Sequence, residues 1–105
     1  MRRIINGKRY DTETATMVAD VGSSGYISRT DFRYDNSKLY RTAKGRWFIA
    51  GSGGPMSRWA QSVGNGRTSG SGILPIGESD AREMLENRGE TEALETYFAK
   101  AIEDA

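Results

Sequence analysis

The 105-residue sequence contains neither histidine nor cysteine. Without cysteine there is no disulfide framework, no thiol nucleophile and no thiolate metal site. Without histidine the chain lacks the commonest general base at neutral pH and the commonest protein ligand of transition metals. Ser-His-Asp catalysis, Cys-His catalysis and histidine-based zinc hydrolysis are therefore excluded. We expect a protein that is not an enzyme and that has no catalytic residues, no cofactor and no metal site.

Long apolar runs are also lacking. The longest apolar segments, such as Trp47–Ala50, have the length of a β-strand and are far shorter than the roughly 20 residues of a membrane-spanning helix. At the N-terminus, Asn6-Gly7-Lys8 interrupts the apolar residues before they could form a signal sequence. We therefore expect a cytoplasmic protein that is not inserted in a membrane. The length predicts a single domain over residues 1–105, because two smaller cores would bury too little surface.

The first half of the chain predicts a hairpin, a helix and a sheet. Asn6-Gly7 lies between two short β-prone segments and is typical of a tight hairpin turn. Thr12 is a suitable N-cap for a short helix over residues 12–21. Alternating apolar and polar residues then predict a three-stranded antiparallel meander with one strand at Phe32–Tyr34, a turn at 35–37, and strands at 39–42 and 46–50.

The second half predicts mainly helices. Glycines from Gly51 to Gly54 should end the third strand of the meander, and Pro55 should begin a short helix through Val63. Further along, the pattern predicts a flexible loop at about 64–72, a short edge strand at 73–76, and C-terminal helices at about 79–88 and 91–104. The predicted fold class is α+β, with a small antiparallel sheet, formed by the N-terminal hairpin and the meander, packed against short helices.

Charge is unevenly distributed along the sequence. Residues 36–77 contain six basic residues and no acidic one, whereas residues 78–105 contain nine acidic residues and three basic ones. A cationic segment suits phosphates or an acidic protein surface, and an anionic segment suits a basic groove or imitates the phosphates of DNA. The alternative is that the two segments face each other within the fold and cancel, while the carboxylates form an ordinary solvated helix face.

Two further patterns have a structural and a functional interpretation. The glycines of "GSGGPMSR" follow a strand, but the Lys-Ser/Thr pair of a phosphate-binding loop is missing, which favours a structural turn over a nucleotide site. A weaker alternative is anion binding at the N-terminus of the predicted short helix. The aromatic residues of the meander could stack on nucleic-acid bases. Alternation places Trp47 and Ile49 on one face and Phe48 on the other, so we favour a role in the core.

Three segments carry a resemblance to a known family: "IINGKRYDTETA" (residues 4–15), "LYRTAKGRWFIAGSGGP" (39–55) and "ILPI" (73–76). Together and in this order they resemble small orphan proteins of phages, plasmids and other bacterial mobile elements, and some similar proteins are anti-CRISPR proteins. The matching residues are mostly structural, so no functional residue is transferred from the family. The family often has glutamate where this chain has Ser52, which argues against a binding role for the glycine segment.

The resemblance implies a non-enzymatic inhibitor in the cytoplasm of a bacterial host. Its partner would be a CRISPR–Cas effector, with type I slightly favoured, and it would block target DNA recognition or nuclease recruitment. The alternative is a small nucleic-acid-binding or regulatory protein that uses the basic central region. A third possibility is a minor enzyme or nucleotide-sensing domain with a ligand in the glycine segment. The candidate partner-binding residues are Arg41, Lys44, Arg46, Arg58, Arg67, Glu86, Glu92 and Glu95.

Overall fold

A computed structural model describes residues 1–23, 28 and 30–105 of the chain. The fold is α+β with small antiparallel sheets, as the sequence predicts. Its strands are β1 (Arg2–Ile5), β2 (Lys8–Asp11), β3 (Thr16–Asp20), β4 (Asp35–Arg41), β5 (Trp47–Gly53), β6 (Gln61–Val63), β7 (Gly66–Thr68) and β8 (Gly70–Ile76). Its helices are α1 (Glu78–Asn87) and α2 (Thr91–Tyr97), followed by a 3-10 turn at Ala99–Ala101.

The N-terminal hairpin is confirmed. Strands β1 and β2 pair antiparallel, with Ile5 opposite Lys8 at the end of the ladder. Asn6 and Gly7 form the turn with φ values of 51° and 75°. Positive φ at both central residues suits the right-handed twist of the flanking strands, which is why Asn-Gly is favoured there.

The helix predicted over residues 12–21 is wrong, because this segment contains β3. Instead of capping a helix, the Thr12 hydroxyl accepts a hydrogen bond from the Met1 amino group at 2.9 Å. The Ala15 amide then donates to the Asp11 carbonyl in a turn. From Thr16 to Asp20 the backbone pairs with β4, with a bulge between Met17 and Ala19. Pairing with a distant strand thus overrides the local helix preference.

The predicted meander is correct in its last two strands and wrong in its first. Strands β4 and β5 pair from Asp35 opposite Gly53 to Arg41 opposite Trp47, across the Lys44-Gly45 turn. The predicted turn at residues 35–37 is instead the start of β4, because Asp35 and Ser37 are buried and hydrogen-bonded there. Residues 32–34, the predicted first strand, lie outside any strand, and β3 occupies that place beside β4.

Residues 55–72 also differ from the prediction. The predicted short helix at 55–63 is a series of turns followed by β6, and the predicted loop at 64–72 contains β7 and the start of β8. Gly64, with φ of 51°, lies in the turn that joins β6 to β7. The predicted edge strand at 73–76 is confirmed as an edge but begins at Gly70, since β8 lies last in the order β3-β4-β5-β8.

Both C-terminal helices are present, with somewhat different bounds. Helix α1 is preceded by Gly77 as its N-cap, so Ser79 lies inside the helix and does not cap it. Gly89 ends this helix with φ of 67°, as predicted. Helix α2 ends at Tyr97, well before the predicted residue 104. The reason is that Phe98 leaves the helical conformation and stacks on Trp47, with ring centroids 5.3 Å apart.

Hydrophobic side chains pack against both faces of the four-stranded sheet. One face carries Leu39, Trp47 and Ile49 and packs against Leu85 and Phe98 of the helical segment. The opposite face carries Phe48, Ala50 and Ile73, which pack with Tyr10 of the N-terminal hairpin and with Tyr40. The predicted alternation of Trp47 and Phe48 is therefore confirmed, and both rings belong to the core. Among the residues described, no helix is long and apolar enough to cross a membrane.

Candidate partner-binding surfaces

The oppositely charged segments of the chain do not neutralise each other through ion pairs. Within residues 1–23, 28 and 30–105, salt bridges join Arg33 to Asp31, Lys38 to Asp20 and Arg58 to Asp35. None of them links a carboxylate of residues 78–105 to a basic residue of 36–77. Arg46 and Glu78 do line one shallow cleft, but they form no salt bridge. Charge segregated in the sequence therefore remains segregated on much of the surface.

Hydrogen bonds from nearby residues lower the pKa of two carboxylates, Asp31 and Asp20. Hydrogen bonds from the side chain and backbone of Arg33 lower the pKa of Asp31 to about 2. A backbone hydrogen bond from Gly22, with a smaller contribution from Lys38, lowers the pKa of Asp20. Both carboxylates are therefore charged at neutral pH.

A cleft with four cations lies between the N-terminal hairpin turn and the turn joining β4 to β5. Its volume is about 420 Å³, and Lys8, Arg9, Lys44 and Arg46 line it, with no carboxylate among the lining residues. We call it the basic cleft. Gly7, Thr14, Thr42 and Ala43 complete its wall. Clustered cations without local acids create a positive potential that attracts anions.

Hydrogen bonds order the β4–β5 turn, which forms one wall of the basic cleft. In the β4–β5 turn, the Thr42 amide donates to the Arg46 carbonyl at 2.8 Å and the Gly45 amide donates to the Thr42 carbonyl at 2.9 Å. The Thr42 hydroxyl accepts a further hydrogen bond from the Arg46 amide at 3.0 Å. Gly45 has φ of 86°, a conformation that most side chains disfavour. The cationic side chains therefore project from an ordered backbone.

The sequence predicted two of the four basic residues that line this cleft. Lys44 and Arg46 are candidate residues that the structure brings together, whereas Lys8 and Arg9 were not among the candidates. These two residues are separated from Lys44 by more than thirty positions in the sequence. The one available signal was their position directly after the Asn-Gly turn, where a hairpin presents side chains at its tip. Only the packing of the hairpin on the sheet shows that they face the second turn.

Arg41 lies outside the basic cleft and contacts the core. Its guanidinium carbon is 5.8 Å from the Trp47 ring centroid and 5.2 Å from that of Tyr97. Such cation–π contacts stabilise by about 0.5–2 kcal/mol depending on exposure. Arg41 therefore helps to attach α2 to the sheet.

Arg58 belongs to a network of polar residues around the start of β4. Its Nε donates to Asp35 Oδ2 at 3.0 Å, and Ser37 Oγ donates to Asp35 Oδ1 at 2.6 Å. Trp59 Nε1 donates to Ser37 Oγ at 2.7 Å. The network attaches the turns after β5 to β4. Because Arg58 pairs with Asp35, much of its charge is neutralised within the protein.

We expect Trp59→Phe to lower the free energy of unfolding by about 1 kcal/mol beyond the loss of ring contacts, because it removes a buried hydrogen bond to Ser37. A double-mutant cycle with Ser37→Ala, followed by urea denaturation, measures the coupling between the two side chains. Additive effects of the two substitutions would show that this bond does not stabilise the fold.

The remaining basic candidate, Arg67, lies on β7 in the exposed β6–β7 hairpin. It does not line the basic cleft. The structure thus divides the five basic candidates into two in the cleft, two bound to the core or its polar network, and one on a separate hairpin.

Helices α1 and α2 form a second charged surface. Residues 78–97 contain seven acidic side chains against two arginines, and one of these, Arg88, donates from Nη1 to the Gly22 carbonyl at 3.1 Å. The exposed acids of the two helices are Glu78, Asp80, Glu83, Glu86, Glu92 and Glu95, which we call the acidic helical surface. No salt bridge within the described part of the chain involves any of them. The three acidic candidates, Glu86, Glu92 and Glu95, all belong to it.

The acidic helical surface is not arranged as a metal site. In the portion of the chain that the structure describes, no group of three or more acidic side chains lies close enough together to hold a metal ion. Its carboxylates are spread along the outer sides of two helices, an arrangement that suits contact with an extended basic surface.

The glycine segment at Gly51–Gly54 packs closely against other segments of the protein. Gly51 and Gly53 lie within β5; a side chain at Gly51 would meet backbone atoms of β4, and one at Gly53 would meet the Ser57 side chain and the Tyr34 carbonyl. The turn begins only at Gly54, where the amide donates to the Tyr34 carbonyl at 2.9 Å. These glycines therefore allow close approach of chain segments. The prediction that the strand ends in a turn from Gly51 is wrong, because β5 continues to Gly53 and only Gly54 belongs to the turn.

Comparison with family models, with curated proteins and with solved structures gave no match to this chain. The resemblance to proteins of bacterial mobile elements accordingly remains a prediction from the three sequence segments that carry it.

Proposed function

We propose that the protein is a non-enzymatic inhibitor that binds a bacterial CRISPR–Cas effector and blocks target DNA recognition or nuclease recruitment. The observation that carries this proposal is the acidic helical surface, whose carboxylates are exposed and form no salt bridge within the described residues. The resemblance of residues 4–15, 39–55 and 73–76 to mobile-element proteins supports the choice of partner.

The physical basis is charge complementarity. CRISPR effectors hold their nucleic acids in positively charged channels. Glu92 and Glu95 lie three residues apart on α2 and are both exposed, so they present two carboxylates on adjacent turns of one helix side. A surface of this kind is attracted to a basic channel and competes there with the phosphates of DNA.

Reversing the charge of Glu92 and Glu95 should abolish inhibition. We expect Glu92→Lys combined with Glu95→Lys to weaken binding to the effector by at least about tenfold, or about 1.4 kcal/mol, and so to lower the plating of phage on a CRISPR-immune host that expresses the protein. The measurement is a plaquing assay, with effector binding followed by pull-down from a CRISPR-bearing lysate.

The matched control is Glu103→Lys combined with Asp104→Lys, which makes the same change in net charge at exposed positions beyond both helices. This control should protect phage as the unmodified protein does. A second comparison reverses Lys44 and Arg46. Full protection by both the Glu92/Glu95 and the Lys44/Arg46 variants would rule out a charged interface, and equal loss in the Glu103/Asp104 control would show an effect of net charge alone.

A further inference from the structure

We infer that the basic cleft is a binding site for the phosphate backbone of a nucleic acid. The inference does not rest on the inhibitor proposal, because it concerns a different surface. It assigns nucleic-acid contact to the four basic residues of the cleft, Lys8, Arg9, Lys44 and Arg46. Four cations from two separate hairpin turns line one cleft of about 420 Å³ without any carboxylate among its lining residues.

The four cations that line one cleft suit a ligand with several negative charges, such as a phosphate backbone. Gly7, Thr14 and Thr42 also line the cleft, and phosphodiesters accept hydrogen bonds from backbone amides and hydroxyls as well as from lysine and arginine. A nucleic-acid strand has negative charges at regular intervals, so it can contact several of these cations at once.

The composition of the wall also predicts how the cleft recognises its ligand. No aromatic side chain lines it, and the nearby rings of Tyr10, Phe48 and Trp47 are buried in the core. Base stacking, which dominates recognition of single strands by aromatic platforms, is therefore not available here. Binding should depend on phosphate charge, be insensitive to base sequence and weaken steeply as salt concentration rises.

The test is fluorescence anisotropy with a labelled single strand and a labelled duplex of unrelated sequences, titrated with the full-length protein at low salt. We expect binding that weakens with salt and at least about a tenfold loss of affinity in Lys44→Glu combined with Arg46→Glu. The milder Lys44→Gln and Arg46→Gln should each lower the slope of log affinity against log salt by about one. Circular dichroism establishes that each variant is folded.

The matched control is Arg67→Glu combined with Lys100→Glu, an equal change in net charge at exposed positions outside the cleft. Its affinity should remain well above that of the cleft variant. Equal loss in both variants, or no binding of either oligonucleotide at low salt, would overturn the inference. So would competition by inorganic phosphate at the same phosphate concentration as the oligonucleotide, which would identify a site for small anions.

The Glu92/Glu95 variant should bind nucleic acid at least as well as the unmodified protein, which separates this test from that of the inhibitor.

Discussion

Replacing Phe48 by alanine should lower the free energy of unfolding by about 3–5 kcal/mol, the usual cost of truncating a buried phenylalanine. Phe48 is completely buried in the middle of β5. Its ring stacks on Tyr40 with centroids 5.1 Å apart and meets the edge of Tyr10 at 5.5 Å. Small domains have a total stability of about 5–15 kcal/mol, so this change brings the protein close to unfolding.

Urea denaturation followed by tryptophan fluorescence measures this loss. The matched control is Phe32→Ala, because the Phe32 side chain is 65% exposed and should change the stability by less than about 0.5 kcal/mol. A loss of similar size in the two variants would mean that Phe48 does not join the hairpin to the sheet in the way described.

Gly51→Ala should destabilise the protein by about 3 kcal/mol, at the upper end of the usual range for overpacking. A Cβ atom at Gly51 would overlap the Asn36 carbonyl oxygen and lie only 2.8 Å from Ser37 Cα. Neither neighbour is a flexible side chain, so the backbones of β4 and β5 would have to separate. That separation would disturb Ser37, whose hydroxyl joins Asp35 and Trp59.

Thermal unfolding of Gly51→Ala beside Gly66→Ala tests this expectation. At Gly66, on β7, the nearest atom to an added Cβ would be the Val63 carbonyl oxygen at 3.9 Å. The Gly66 variant should therefore unfold near the temperature of the unmodified protein or slightly above it, since alanine restricts the unfolded chain. Equal melting temperatures for the two variants would show that β4 and β5 tolerate a side chain between them.

Features determined by neighbouring residues were predictable from the sequence. Asn6-Gly7 specified the first turn, Gly89 specified the end of α1, and alternation along β5 specified the opposite directions of Trp47 and Phe48. Each of these depends on the conformational preference of one or two residues or on the two-residue repeat of a strand.

Features determined by distant pairing were not predictable. Residues 16–20 are compatible with a helix until β4 is available as a partner, and Asp35 and Ser37 are typical turn residues that become strand residues because Arg58 and Trp59 satisfy them. The charge blocks showed where basic and acidic residues are concentrated. The chain order could not show that Lys8 and Lys44 line the same cleft.

Because the hairpin packs on one face of the central sheet and the helices pack on the other, the side chains of Trp47, Phe48, Ile49 and Ala50 in β5 are buried. The surfaces proposed to bind partners lie on turns and on the outer sides of helices, where most side chains contribute little to the core. Substitutions there should cost little stability, so the charge of these surfaces can be altered without disturbing the buried residues of β5.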